Sequence, residues 1–297
     1  MAIIVTGSSG LLGRALVGAL TEEGEQVVRL VRRPPASGDE SLWEPEKGLV
    51  DREVLEGAQA VVHLAGAGLG EHRWSDAYRR EIVDSRVAGT RTLVTALKGL
   101  NRPPEVLLSA SGAGFYGDTG DRVTDESGPR GEGFLAELCE RWEAEARRAE
   151  QAGIRTAQLR TAITLSAHGG ALERMLPVFR LGLGAPLGSG GQWWAWISLD
   201  DWVRAALHIL RNRDIEGPVN VAAPEPVTNK EFTRALGRAL KKPTMPIAVP
   251  GFALRTGLGG FADEGLLIGQ RAVPSKLLDS EFRFLHPTLD EALAAVL

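Results

Sequence analysis

The sequence predicts a doubly wound α/β fold, a parallel sheet covered by helices on both faces, joined to a second, smaller composite C-terminal domain. Three observations carry this expectation. Short β-branched runs alternate with longer helical patterns through the first two-thirds of the chain. The runs are nearly all apolar, as strands buried on both faces must be. A glycine-rich stretch, Thr6-Gly7-Ser8-Ser9-Gly10-Leu11-Leu12-Gly13, stands between the first run and the first helical pattern.

Residues 3–5 read as the first strand and residues 11–23 as a helix, with Leu12, Leu16 and Leu20 spaced four apart. A second strand over 26–31 follows the break at Gly24, and a third over 60–64 ends at Ala65-Gly66. A long helix is expected over 74–97, stopping before Gly99 and the Pro103-Pro104 pair. Residues 106–108 form a strand, 134–151 a helix with Leu135, Leu138, Cys139, Trp142, Ala146 and Ala149 on one face, and 154–159 a strand. Beyond residue 163, Gly-rich pieces, a Trp cluster and Pro-punctuated segments replace the alternation. A covering helix over 200–210 and a strand over 219–221 return the chain to the sheet. The expected division is a dinucleotide-binding Rossmann domain of residues 1–163 plus 199–222, and a smaller substrate or C-terminal domain of 164–198 plus 223–297.

Composition excludes several classes. A chain of 297 residues, 43% hydrophobic and 24% charged, has enough apolar content for a buried core, so a disordered chain is ruled out. The net charge of -4, with no basic block, argues against a nucleic-acid partner. Cys139 is the one cysteine, which excludes an internal disulfide and a Cys-based zinc site. His63, His72, His168, His208 and His286 lack metal-ligand spacing, so no metal is expected. Residues 2–5 run into Thr6-Gly7 without a basic start, and no run of about 18 apolar residues occurs. Neither a signal peptide nor a membrane partner is expected, and the expected setting is cytoplasmic.

The glycine stretch has the location that phosphate binding requires. Gly7 permits a tight turn, Gly10 lets backbone approach a pyrophosphate, and Gly13 allows close helix–sheet packing. The helix start, with Ser9, Leu11 and Leu12, offers unsatisfied N–H groups and a partial positive charge. The second strand ends Leu30-Val31-Arg32-Arg33, without the Asp or Glu that accepts from a ribose 2′-OH about 20 residues after the loop. Guanidinium groups there suit a 2′-phosphate. Each charge-assisted bond contributes roughly 1.5–3 kcal/mol, a preference of about tenfold to a hundredfold for NADP(H) over NAD. The alternative for the pair is two solvated surface arginines.

The chain resembles the extended short-chain dehydrogenase/reductase superfamily of the nucleotide-sugar epimerase type. The matching residues are Thr6-Gly7-x-x-Gly10-x-x-Gly13, His63-Leu64-Ala65-Gly66, Gly89-Thr90-x-x-Leu93, Ser109-Ala110-Ser111 leading to Tyr116-Gly117, Thr124-Asp125-Glu126 and Leu199-Asp200-Asp201. A narrower resemblance, to the atypical YfcH-like "epimerase family" proteins, spans nearly the whole chain. It rests on Arg73-Trp74, Ser85-Arg86, Trp142-Glu143, Gly169-Gly170-Ala171-Leu172, Gly188-Ser189-Gly190-x-Gln192, Trp196-Ile197, Asn220-x-Ala222-x-Pro224 and Gly269-Gln270-x-x-x-Pro274. The resemblance implies cofactor contacts from Leu64, Ala65, Gly66 and Ser109, and a C-terminal module of unassigned role.

One departure is chemical. The superfamily uses a Tyr-x-x-x-Lys pair in which the lysine lowers the tyrosine pKa and the phenolate moves a proton. Aligned on Glu143, the tyrosine position here holds Leu135 and the lysine position Cys139, and no Tyr-x-x-x-Lys occurs anywhere. The remaining catalytic candidates are Tyr116 and Ser111, with Asp118 and Arg73 nearby; Tyr116 is either a proton donor or a hydroxyl anchored at a strand end. Residues 192–196, Gln-Trp-Trp-Ala-Trp, form either an aromatic wall for a substrate or interdomain packing. Asp200-Asp201 is expected at a helix cap. The expected function is an NADP(H)-binding oxidoreductase for a small carbonyl or hydroxyl substrate; the alternative is a non-catalytic NADPH-binding sensor. The oligomeric state is left open.

Overall fold

A computed structural model describes residues 1–297. The chain runs β1 (Ile3–Thr6), α1 (Leu11–Glu22), β2 (Val27–Val31), β3 (Glu40–Glu44), β4 (Leu49–Val50), β5 (Ala60–His63), α2 (Asp76–Lys98), β6 (Val106–Gly112), α3 (Phe134–Arg147) and β7 (Arg155–Thr161). It continues through β8 (Ile163–Leu165), α4 (Gly170–Arg180), β9 (Trp193–Trp194), β10 (Trp196–Ser198), α5 (Leu199–Arg211), β11 (Gly217–Val221), β12 (Val227–Thr228) and α6 (Asn229–Ala239). Helices α7 (Gly251–Leu258), α8 (Ser275–Asp279) and α9 (Leu289–Val296) complete it.

The main sheet has the order β11-β7-β6-β5-β1-β2-β3-β4. Every pair from β11 to β3 is parallel, and β4 returns antiparallel on β3. This is the doubly wound Rossmann-like arrangement. The chain moves outward from β1 to β3, then crosses to β5 on the opposite side of β1. Strand order therefore reverses between β1 and β5, the point where a doubly wound sheet places its ligand crevice, at the carboxyl ends of the strands.

Alternation along the strands builds both faces. Ile3 and Val5 face Leu16 and Leu20 of α1 and Trp202 of α5, whereas Ile4 and Val61 face Leu93 and Leu97 of α2. A separate cluster joins Leu172, Leu176 and Phe179 of α4 to Trp194, Trp196, Phe232 and Leu293. Trp194 and Trp196 are thus packing residues. Trp193 alone of the three is half-buried, donating from Nε1 to Asp121 at 2.8 Å beneath the Arg271 guanidinium.

Several boundaries differ from expectation for local reasons. Helix α2 starts at Asp76 because Ser75 caps it, accepting from the Tyr78 N–H. Past Arg147 the chain tightens into a 3₁₀ turn over Arg148–Ala152. Ser198, not Asp200 or Asp201, caps α5. The Asp201 carboxylate is buried and accepts from the backbone N–H groups of Leu285 and His286 at 2.7 and 2.8 Å, which pins the C-terminal segment to α5.

Candidate cofactor site

Three segments meet at the reversal point: the glycine loop, the tip of β2 and the turn after β5. Gly7 has a φ of +68°, in the left-handed region, and a Cβ there would lie 2.6 Å from the Leu64 carbonyl carbon. Gly13 is tighter still, since its Cβ would meet the Gly7 carbonyl oxygen at 2.2 Å. These two glycines let the loop fold onto α1 and onto the Leu64-Ala65 backbone. Gly10 differs: a Cβ there would touch only the Gly7 oxygen, at 3.4 Å, so its outer side is open. Ser9 and Gly10 are exposed, Leu11 and Leu12 half-buried. No side chain caps α1, and its first turn holds no acidic residue. An uncapped positive helix end facing a crevice is a site for an anion.

A buried relay fixes the β5 turn. The Thr6 hydroxyl accepts from the Leu64 and Ala65 N–H groups at 3.2 and 3.3 Å and lies 2.7 Å from His63 Nδ1. His63 Nε2 lies 3.0 Å from the Thr90 hydroxyl. With its lone pairs taken by two amides, Thr6 donates to Nδ1, which leaves the proton of a neutral imidazole on Nε2. Burial pushes the His63 pKa down to about 4, so this ring is neutral and structural.

The two arginines at the tip of β2 separate. Arg33 makes a bidentate contact with Glu40, at 2.8 and 2.6 Å, and so is not a free guanidinium. Arg29 binds Asp39 at 2.7 Å and reaches Glu40 at 3.2 Å. Both carboxylates at this edge are therefore neutralised, and the exposed Arg32 has no hydrogen-bond or ion-pair partner in the protein. Ser109 is fully buried in β6, paired with His63 at the end of β5 and with Gln158 of β7, so it presents no exposed hydroxyl.

Ser111 and Tyr116 lie in a closed network. Ser111 donates to Glu143 at 2.7 Å. Arg160 forks onto the same carboxylate, with Nε–Oε1 and Nη2–Oε2 both 2.9 Å, and its Nη1 donates to the Tyr116 hydroxyl at 2.9 Å. Tyr116 in turn donates to Asn220 at 2.7 Å, and the Glu126 carboxylate accepts from the Asn220 N–H at 3.0 Å. Tyr116 is 0% exposed, and burial pushes its pKa up to about 12. A phenol that is sealed, twice bonded and harder to ionise than usual does not fit the expected proton donor. Cys139, at the lysine position, is buried with its thiol pushed up to about 11, so it carries no charge there.

Sequence reasoning assigned no role to Arg160, and Glu143 and Asn220 entered only through resemblance. The available signal was a charge in the middle of a strand flanked by helices, where burial demands a counter-charge. Glu264 was missed as well: its carboxylate accepts from the Phe134 and Leu135 N–H groups at 2.9 and 2.7 Å, capping α3 from the C-terminal part of the chain.

Comparison with known proteins agrees with this geometry. Residues 3–222 match the model of the NAD dependent epimerase/dehydratase family, and residues 249–296 match a domain of unknown function, DUF1731. The epimerase family protein Mb2239 of Mycobacterium bovis is 47% identical over 291 residues, covering 98% of this chain and 96% of that protein. A crystal structure of the human epimerase family protein SDR39U1 (isoform 2) with NADPH superposes with a TM-score of 0.91 at 30% identity, covering 100% of this chain and 99% of that one. A nucleoside-diphosphate sugar epimerase structure from Corynebacterium glutamicum aligns with a TM-score of 0.81 at 31% identity, over 100% of this chain and 58% of that chain.

Proposed function

Because the chain belongs to the NAD dependent epimerase/dehydratase family of NAD(P)-binding proteins, we propose that it binds NADPH and works as an atypical short-chain oxidoreductase on a small carbonyl or hydroxyl compound. The observation that carries the choice of NADPH is Arg32, an exposed guanidinium without a protein partner beside carboxylates already held by Arg29 and Arg33. A 2′-phosphate would meet a free cation there, and a bare ribose hydroxyl would find no free carboxylate. The NADPH in the human relative's structure supports the same reading.

The helix start and Gly10 would hold the pyrophosphate, and Leu64, Ala65 and Gly66 would line the floor of the crevice. When bound, the dinucleotide supplies hydride chemistry. Tyr116 and Ser111 hold the Arg160–Glu143 pair in place and hand no proton to a substrate. The closure of that network also favours a second reading, an NADPH-binding sensor whose C-terminal part, clamped to α3 through Glu264, reports cofactor occupancy.

NADPH consumption measured with a panel of small aldehydes and ketones tests the enzyme reading. Substrate-dependent oxidation that persists in Tyr116→Phe is the expected result. Tight NADPH binding with no turnover on any member would replace the oxidoreductase by the sensor.

A further inference from the structure

Two arginines are buried in this protein, and their surroundings differ sharply. Arg160 has a carboxylate fork, a phenol and a backbone carbonyl around it. Arg86, on α2, is only 8% exposed, yet makes a single hydrogen bond, from Nη1 to the Ile82 carbonyl at 3.2 Å. The ionisable groups acting on it are Cys139 and Tyr78, with no carboxylate among them, and burial lowers its pKa. Trp142 supplies a ring face 5.1 Å from Cζ. A buried cation answered by one carbonyl and one ring is poorly compensated. The atoms both sealed and unpartnered are Trp142 Nε1, Gln158 Oε1 and Trp194 Nε1. The unpaired Nε and Nη2 of Arg86 are not among them, so these donors are not sealed off by protein.

They lie against Gly66, where a Cβ would sit 3.1 Å from Cζ and 3.4 Å from Nε. Gly66 ends the turn after β5 that packs on the glycine loop. Cys139 is also a neighbour, and its Sγ would lie 3.8 Å from a Cβ on Gly112 at the end of β6. Arg32 marks the tip of β2, and the sheet order β2-β1-β5-β6 places Arg86 two to three strands away. At about 4.8 Å per strand this is about 10–14 Å, the reach of a dinucleotide whose pyrophosphate crosses the start of α1.

Resting on the NADPH reading above, we propose that Arg86 is a cofactor-binding residue for the nicotinamide half of the dinucleotide, its free N–H groups donating to oxygen acceptors, ribose hydroxyl or phosphate, at the corner where α3 offers Cys139 in place of a lysine. Binding supplies the partner that the apo protein withholds from this guanidinium. Gly66 has no side chain, which is what keeps the guanidinium accessible.

Titration calorimetry of the full chain with NADPH and with 2′,5′-ADP, which lacks the nicotinamide half, tests this. Arg86→Met keeps the stem on Trp142 and removes every donor. It should weaken NADPH by tenfold or more and leave 2′,5′-ADP within twofold of wild type, and Arg86→Lys should recover part of the loss. Nicotinamide riboside and NMN, which differ only in the 5′-phosphate, separate a sugar contact from a phosphate contact when used as competitors in the same assay. NADPH affinity in folded Arg86→Met equal to wild type overturns the proposal, as does an equal fall for both ligands. If Arg86→Met does not fold, Arg86→Lys decides by the same ratio. Failure of 2′,5′-ADP to bind the wild type overturns the NADPH reading instead, so the two failures are distinct.

Discussion

The glycine loop at the start of α1 and the buried network around Ser111 and Tyr116 are built on one sheet, and they treat polar groups in opposite ways. At the crevice the helix end is uncapped, Gly10 is open on its outer side, and Arg32 has no partner. Around Tyr116 each charge and hydroxyl is answered by another: Ser111 by Glu143, Glu143 by Arg160, Arg160 by Tyr116, Tyr116 by Asn220. Donors left over in a folded chain mark where a ligand completes the structure; a saturated network holds two parts of the protein together. Both regions carry residue types associated with catalysis, and only satisfaction of their hydrogen bonds separates them.

The sharpest way to break this contrast is at Arg160. Arg160→Met leaves the Glu143 carboxylate buried without its fork and should cost about 3–5 kcal/mol in urea unfolding. The double variant Arg160→Met/Glu143→Leu should recover much of that. A single-variant loss below about 1 kcal/mol would show that the network is not structural.

His63 gives the next effect. Its folded pKa of about 4 lies below the ordinary 6.5, so the neutral ring stabilises the fold fully above pH 6.5. As the pH falls through that window the unfolded chain takes up a proton that the fold refuses, and about 3 kcal/mol is lost by pH 4, at ~1.4 kcal/mol per pH unit. Urea midpoints against pH should lose this slope in His63→Gln. An unchanged slope contradicts the buried neutral ring.

On α1, Gly13→Ala forces a Cβ onto the Gly7 oxygen and should cost about 1–3 kcal/mol and at least tenfold in NADPH affinity. Gly18→Ala on the same helix meets nothing within 4 Å and should stabilise by up to about 1 kcal/mol with cofactor affinity intact. Calorimetry and thermal unfolding read both. Equal behaviour of the two variants would remove the loop from the site.

Much of the frame was legible because β1, β5 and the first half of β6 are apolar runs separated by helical periodicity. Strand β3 was not, since Glu40 and Ser41 stand in it, with Glu40 held by Arg29 of β2 and by Arg33 just beyond β2. Helices α6 and α9 were overlooked although each opens on a Thr-x-x-Glu capping box, Thr228 with Glu231 and Thr288 with Glu291. The glycine loop was readable from its spacing together with its place between a strand and a helix. The split between Arg32 and Arg33 was not, because it depends on where Glu40 lands in space. The same limit applies to Tyr116: its burial under Arg160 and Asn220 follows from contacts 44 and 104 residues apart in sequence, which no local pattern encodes.

The most direct test of the open crevice is calorimetric titration of wild type and Arg32→Ala with NADPH and NADH. NADPH should bind wild type about tenfold or more tightly than NADH, and Arg32→Ala should erase that preference while leaving NADH affinity unchanged. No heat with either nucleotide, or equal losses for both in Arg32→Ala, would contradict the site as drawn here.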